Sequence, residues 1–254
     1  MRPRVPAVSA CRSSSTRAAR PTGAAPEDIA IGDRGATYPD EGIPVQVLSA
    51  NAQRVAQWFE VQPANCATGR PRIAIELPPI TAGQIVLITG PSGAGKSSLL
   101  QQVRADHPQR TFADVAAVRW HDGLVIDQFG DDIAGALMLL ARFGLGEAHT
   151  YLRPPALLSD GQQWRLRLAR ALHDSPASAT LVADEFAALL DRVTAHVVAR
   201  ALRRAIDASP QRSAIVATSH DDLEGALLPD VVVRCDFGRA TVERREWQAR
   251  SVPR

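Results

Sequence analysis

Eight consecutive residues, Gly90-Pro91-Ser92-Gly93-Ala94-Gly95-Lys96-Ser97, have the types and order needed to wrap a backbone around phosphate. They fit the pattern G-x-x-x-x-G-K-[ST] in full. Glycines let the main chain approach phosphate oxygens closely, with N–H groups turned inward. In that pattern Lys96 reaches the β- and γ-phosphates and the Ser97 hydroxyl binds Mg²⁺. Ser98 continues the same turn toward the α-phosphate. Lys96 is the one lysine in the chain; every other residue of the 29 Lys and Arg is arginine. The loop predicts a bound nucleotide.

Other groups have types suited to the same chemistry. Thr180-Leu181-Val182-Ala183 is an apolar run that ends in Asp184 and Glu185. An acid at the end of such a strand can hold a metal, directly or through water, and Asp184 is placed for that. Glu185 can orient or deprotonate an attacking water. Leu158-Ser159-Asp160-Gly161-Gln162 opens an amphipathic run, with Ser159 a natural N-cap and a helix start that suits an anion. Ser219-His220-Asp221 follows another apolar run, and Gln128 lies between the two halves.

Strands and helices must bring these residues to one edge. Ile85–Thr89, Thr180–Ala183 and Ile215–Thr218 read as strands buried on both faces. Ser97–Arg104, Ala134–Phe143 (closed by Gly144), Ser159–His173 and Thr194–Ile206 read as helices. Val55–Val61 and Arg72–Leu77 read as earlier strands, the second with alternating Ile73, Ile75 and Leu77. Val231–Cys235 with Ala240–Arg244 reads as a closing hairpin. Strands alternating with helices predict an α/β layered domain with a largely parallel sheet.

The composition excludes several classes. The chain has 254 residues, 45% of them hydrophobic and 22% charged, as an ordinary globular protein does. The longest apolar stretch, Ile133–Ala141, is broken by Arg142 and falls short of the ~20 residues a spanning helix needs. Five arginines and no acid lie in residues 1–26, so the remainder is mildly acidic. A body of that sign gives no electrostatic argument for a nucleic-acid face. Cys11, Cys66 and Cys235 are far apart and read as reduced thiols of a cytoplasmic protein. Residues 1–42, rich in Arg, Ser and Pro, read as a disordered tail, with the start similar in composition to a transit peptide. The ordered domain is expected over 43–254.

The run Leu158-Ser159-Asp160-Gly161-Gln162 resembles the L-S-G-G-Q signature of ABC-type ATPases. With the phosphate loop and the Asp184-Glu185 pair, the resemblance covers about residues 55–235. It implies a P-loop ATPase fold with a mostly parallel core sheet, an N-terminal antiparallel β part and a helical insert at about 129–157. It implies ATP and Mg²⁺ as ligands, and a homodimer in which Ser159 and Gly161 contact the γ-phosphate held by the loop of the second subunit. Ala188-Leu189-Leu190-Asp191 resembles the loop that signals between subunits. His220 resembles the switch histidine that senses the γ-phosphate and supports Glu185. Gln128 falls where the family places a metal- and water-sensing glutamine.

Several positions depart from the pattern. Asp160 replaces the first signature glycine, where a carboxylate near a γ-phosphate would repel it. Phe186 stands where proline is usual and Ala188 where serine is frequent. From Arg70 to Thr89, where transporter ATPases usually stack the adenine, no aromatic occurs; Trp58 and Phe59 read as core. The insert is shorter than in transporters. The D-E-F-A-A-L-L-D-R run and short insert are similar to ABC-type ATPases sometimes fused to an acetyltransferase domain. The expectation is a stand-alone, soluble ATPase acting on an unknown protein partner. The alternative is the ATP-binding subunit of a transporter with a separate membrane protein. A DNA-repair type switch and an ATPase that binds without cycling rank below these.

Overall fold

Ile85–Thr89 forms strand β1, every residue of it buried, at the middle of a six-stranded sheet. The computed structural model describes residues 49–60, 73, 75, 77–237 and 239–245. The other strands are β2 (Phe112–Asp114), β3 (Thr180–Ala183), β4 (Ser213–Thr218), β5 (Val231–Asp236) and β6 (Arg239–Arg244), in the order β2-β3-β4-β1-β5-β6. All neighbours pair in parallel except β5 and β6, which form an antiparallel hairpin. Continuous apolar runs make β1, β3 and β4 possible, because a parallel sheet is covered on both faces.

Seven helices are present among the described residues: α1 (Ala50–Trp58), α2 (Lys96–Asp106), α3 (Ile133–Arg142), α4 (Ala148–Tyr151), α5 (Asp160–Asp174), α6 (Arg192–Asp207) and α7 (Glu224–Leu227). Successive strand residues point to opposite faces, and the core divides accordingly. Val86, Ile88, Val182, Ile215 and Ala217 pack with Leu99, Leu100 and Val103 of α2. Ile85, Leu87, Leu181, Ala183, Ala214 and Val216 pack instead against α3, α5 and α6.

A buried cation pins the start of β1. Arg203, 2% exposed, donates to Asp207 at 2.6 Å, Asp230 at 3.2 Å and the Gly83 carbonyl at 2.8 Å. Asp230 in turn accepts from the Ile85 amide at 2.9 Å. Removing one member of such a buried set costs about 3–5 kcal/mol, because the remaining charge is stranded.

The sequence reading needs two corrections here. Val55–Trp58, expected in a strand, belongs to helix α1, which Ser49 starts by accepting from the Ala52 amide at 3.2 Å. A cap followed by Ala, Gln and Arg outweighs one valine and two aromatics. Val61 lies outside the described residues. Secondly, Trp58 and Phe59, expected in the core, are 76% and 72% exposed at the end of α1, a helix that buries no residue. The expected N-terminal antiparallel β part falls largely on residues outside the described ones; the antiparallel pairing among the described residues is β5–β6. Ile73, Ile75 and Leu77 are described, are not in a strand, and pack on the α2 side of the sheet. The intervening 72, 74 and 76 lie outside the described residues, as does the tail expected over 1–42. No helix among the described residues is long and apolar enough to cross a membrane.

Candidate functional site

Parallel pairing sets the geometry. β4 lies between β3 and β1, with Ala183 opposite Val216 and Thr89 opposite Thr218. The segments that leave these strands therefore emerge side by side: Gly90 from β1, Asp184 from β3 and Ser219 from β4. Neighbouring strands are about 4.8 Å apart, so three stretches of polar residues share one edge of the sheet. Carboxyl ends of parallel strands are where such folds bind ligands.

The phosphate loop is closed by its own backbone. Gly90 has φ +146°, and a Cβ there would lie 2.1 Å from the Cys235 carbonyl oxygen, so this position accepts glycine alone. The loop turns back with the Ala94 amide donating to Pro91 at 3.2 Å. Gly95 is the N-cap of α2 and supplies no side chain, leaving the first-turn N–H groups available to an anion. The Lys96 ammonium donates to the Gly90 and Pro91 carbonyls at 2.9 and 2.8 Å. Ser97 and Ser98 sit in the first turn of α2, half-buried. Beneath the loop, burial pushes the Cys235 thiol up, partly opposed by the charge of Lys96.

Asp184 and Glu185 begin a tight turn. The Glu185 amide donates to Asp184 Oδ1 at 3.0 Å, and Glu185 takes φ +49°, which turns its exposed carboxylate away from the strand direction. Phe186 anchors the turn. Its amide donates to the Ala217 carbonyl at 2.7 Å, and its carbonyl accepts the Thr218 hydroxyl at 3.0 Å. Proline could not supply that N–H. The fully buried ring meets Trp164 of α5 edge-on, centroids 5.1 Å apart. His220, half-buried, follows β4 and is held by its amide donating to Thr218 Oγ1 at 3.1 Å.

The signature segment is ordered by reciprocal capping. Ser159 Oγ accepts from the Gln162 amide at 3.3 Å, and Gln162 Oε1 accepts from the Ser159 amide at 3.0 Å. Leu158 is buried, and its carbonyl accepts from the Gln163 amide group at 3.0 Å. Asp160 is exposed at the first helical position. A Cβ on Gly161 would meet Leu190 Cδ2 at 3.1 Å and the Leu189 carbonyl at 3.2 Å, so this glycine lets α5 approach the turn after Glu185. No hydrogen bond among the described residues joins 158–162 to 90–98. Asp191 caps α6, accepting from the Thr194 amide at 3.0 Å and hydroxyl at 2.6 Å. Those bonds hold its carboxyl below the ordinary carboxylate range.

Gln128 is held by bonds to the segment before it and to α5. It is 2% exposed, and its amide is engaged on every side. Nε2 donates to the His121 and Leu124 carbonyls at 3.0 and 3.3 Å; Oε1 accepts from the His121 amide and Arg170, both at 3.2 Å. An amide with two donors and two lone pairs has nothing left for a water or metal. The sequence expectation of a sensing glutamine therefore meets a side chain that buckles the 121–128 segment to α5.

The residues present fit Mg²⁺. Groups of three or more His, Cys, Asp or Glu able to hold a metal are absent among the described residues. Mg²⁺ needs no such cage: it keeps several waters and takes one or two protein oxygens plus phosphates, which a serine hydroxyl and one carboxylate supply.

No family model matches the chain. Curated relatives do. It is 33% identical over 190 residues to a lipoprotein-releasing system ATP-binding protein of Granulibacter bethesdensis, covering 60% of this chain and 81% of that one. It is 32% identical to an aliphatic sulfonates import ATP-binding protein of Paracoccus denitrificans, covering 61% of this chain and 69% of that one. Among solved structures, a dimeric ATP-binding cassette in a post-hydrolysis state with ADP and Pi aligns at TM-score 0.49 and 20% identity. The alignment covers 67% of this chain and 89% of that one.

Proposed function

The chain belongs to the ABC-type ATP-binding proteins, P-loop enzymes that hydrolyse ATP, and on that premise we propose that it is the ATP-hydrolysing subunit of an assembly with a separate membrane protein. The likeness along most of the length of transport-system ATP-binding proteins carries this reading.

The residues divide the work. The N–H groups of residues 92–98, at the loop and the start of α2, bind the phosphates, and Lys96 leaves its carbonyls to neutralise the β- and γ-phosphates. Ser97 and Asp184 would hold Mg²⁺, which would supply charge neutralisation to the phosphates. Glu185 orients the attacking water and accepts its proton; His220, from the neighbouring strand, steadies that water and the γ-phosphate. Catalysis is positioning plus electrostatics. Two chains pair head to tail, each offering Ser159 and Gly161 to the nucleotide of the other, and Asp191 lies at the junction. Gln128 serves structure.

The test is recovery of the tagged full chain from its native cell in mild detergent, soluble and membrane fractions apart. Recovery with a many-span protein that alters ATP turnover supports the subunit reading. A soluble dimer that turns over ATP at full rate without a partner overturns it in favour of a stand-alone ATPase.

A further inference from the structure

We propose that Phe237, at the tip of the β5–β6 hairpin, is the platform on which the base of the bound nucleotide stacks. The inference rests on the nucleotide reading of the 90–98 loop and adds to it the one part that loop does not supply.

Asp184, Glu185 and His220 all leave β3 and β4, on one side of β1. The reacting end of a nucleotide in the loop is thereby assigned to that flank. A nucleotide that crosses the loop from that flank carries its base toward the other, where β5 and β6 lie.

Phe237 is on that flank and against the loop. Cys235 sits directly on Gly90, with its carbonyl oxygen 2.1 Å from where a Cβ on Gly90 would be. Two residues further, the Phe237 ring comes within 3.9 Å of a Cβ placed on Gly93. The ring is nevertheless 70% exposed. An apolar ring left in water beside a polar loop gains nothing for folding.

The backbone adds a second, independent argument. Asp236 pairs with Arg239, so Phe237 holds the first place of a two-residue hairpin turn, with φ +33°. Such turns favour Asn, Asp or Gly, and a bulky residue there is strained. Strain retained at an exposed residue beside a binding loop points to function.

Other aromatics are less well placed. The exposed ones among the described residues besides Phe237 are Trp58 and Phe59. They end helix α1, which buries no residue. Stacking on an aromatic face accepts any base, so this platform adds affinity more than selectivity.

The test measures dissociation constants of the full chain for Mg-ATP and for Mg-tripolyphosphate, which has the phosphates and no base. Phe237→Ala is expected to weaken Mg-ATP about ten- to a hundredfold, with tripolyphosphate unchanged. Phe237→Tyr, which keeps the ring face, restores Mg-ATP binding. Equal Mg-ATP affinity in wild type and Phe237→Ala overturns the proposal, and so does equal weakening of both ligands, which would make Phe237 a prop of the loop. A wild-type chain that binds neither ligand overturns the nucleotide reading itself.

Discussion

The Lys96 ammonium donates to the Gly90 carbonyl at 2.9 Å, so the loop's lysine is held by the main chain of the loop it serves. Phosphate must draw it off that carbonyl, trading a neutral acceptor for a charged one. Lys96→Ala is therefore expected to lower Mg-ATP affinity about ten- to a hundredfold or more, at 1.5–3 kcal/mol for a hydrogen bond to a charged group. Its urea-unfolding free energy stays within about 1 kcal/mol of wild type, because a neutral bond of this kind contributes little net. Calorimetric titration and urea melts on the same preparation check both halves.

Glu185 offers a different separation. Its carboxylate is exposed and its backbone carries φ +49°, a conformation that the closely similar glutamine retains. Glu185→Gln keeps the turn and the phosphate loop but removes the base. Mg-ATP binding is expected to persist while turnover falls at least a hundredfold, the usual share of general-base catalysis. Single-turnover hydrolysis with radiolabelled ATP reads this directly. Unchanged turnover would remove Glu185 from its role.

Gln128 tests the opposite kind of role. Truncation to alanine strands the Arg170 donor and two carbonyls of a buried segment, each an unsatisfied polar group. The cost is expected to be about 1–3 kcal/mol in chemical denaturation. Turnover per folded molecule is expected to remain close to wild type, measured after correcting for the folded fraction. A large fall in turnover with unchanged stability would return Gln128 to the reacting centre.

Asp222 ties the turn after His220 to the start of α6, accepting from His196 Nε2 at 3.1 Å and Arg192 Nε at 2.9 Å. The His196 bond, aided by Arg192 and opposed by burial, holds its carboxyl below the ordinary range. A depressed carboxylate adds stability above the unfolded pKa of about 3.9 and loses it as pH falls through the lower folded value. Wild type should thus exceed Asp222→Asn by up to about 1 kcal/mol from neutral pH down to about 4. Below that the two should converge. Urea melts in steps from pH 7 to pH 3 show whether the gap closes in that direction.

Sequence made some features legible and hid others for physical reasons. β1 and β3 could be placed to the residue because strands buried on both faces are unbroken apolar runs, and Ser159 reads as an N-cap. Both signals are local. Phe186 looked like a departure until its amide was seen to donate to Ala217, a residue of another strand. Gln128 reads as a loop residue until Arg170, from a distant helix, occupies its oxygen. Phe237 is one aromatic in a hairpin tip; only the placing of β5 beside β1 brings it to the phosphate loop. Helix α1 is hidden because Val55, Trp58 and Phe59 suit a strand, while Ser49 and the alanines decide. What the sequence hid were pairings between distant segments.

Asp160 remains the departure with the clearest consequence. As the first residue of α5, exposed, its charge complements the helix N-terminus, worth about 0.3–1 kcal/mol. Glycine there forfeits that and adds about 0.3 kcal/mol of helix-propensity cost, since aspartate is itself a poor helix former. Asp160→Gly is therefore expected to lower the stability of the single chain by about 0.6–1.3 kcal/mol. In the proposed pairing the same carboxylate faces the γ-phosphate of the second subunit, and like charges at close range repel. Removing it should then tighten the Mg-ATP-dependent dimer about tenfold, a gain of 1.4 kcal/mol. Sedimentation with Glu185→Gln in both chains, so that ATP survives, measures the dimer; urea melts measure the chain. A less stable chain with a tighter dimer would mean that this aspartate helps its own helix at the expense of the pair. An unchanged dimer would place the carboxylate outside the reach of the phosphate and leave Ser159 and Gly161 as the signature's contacts.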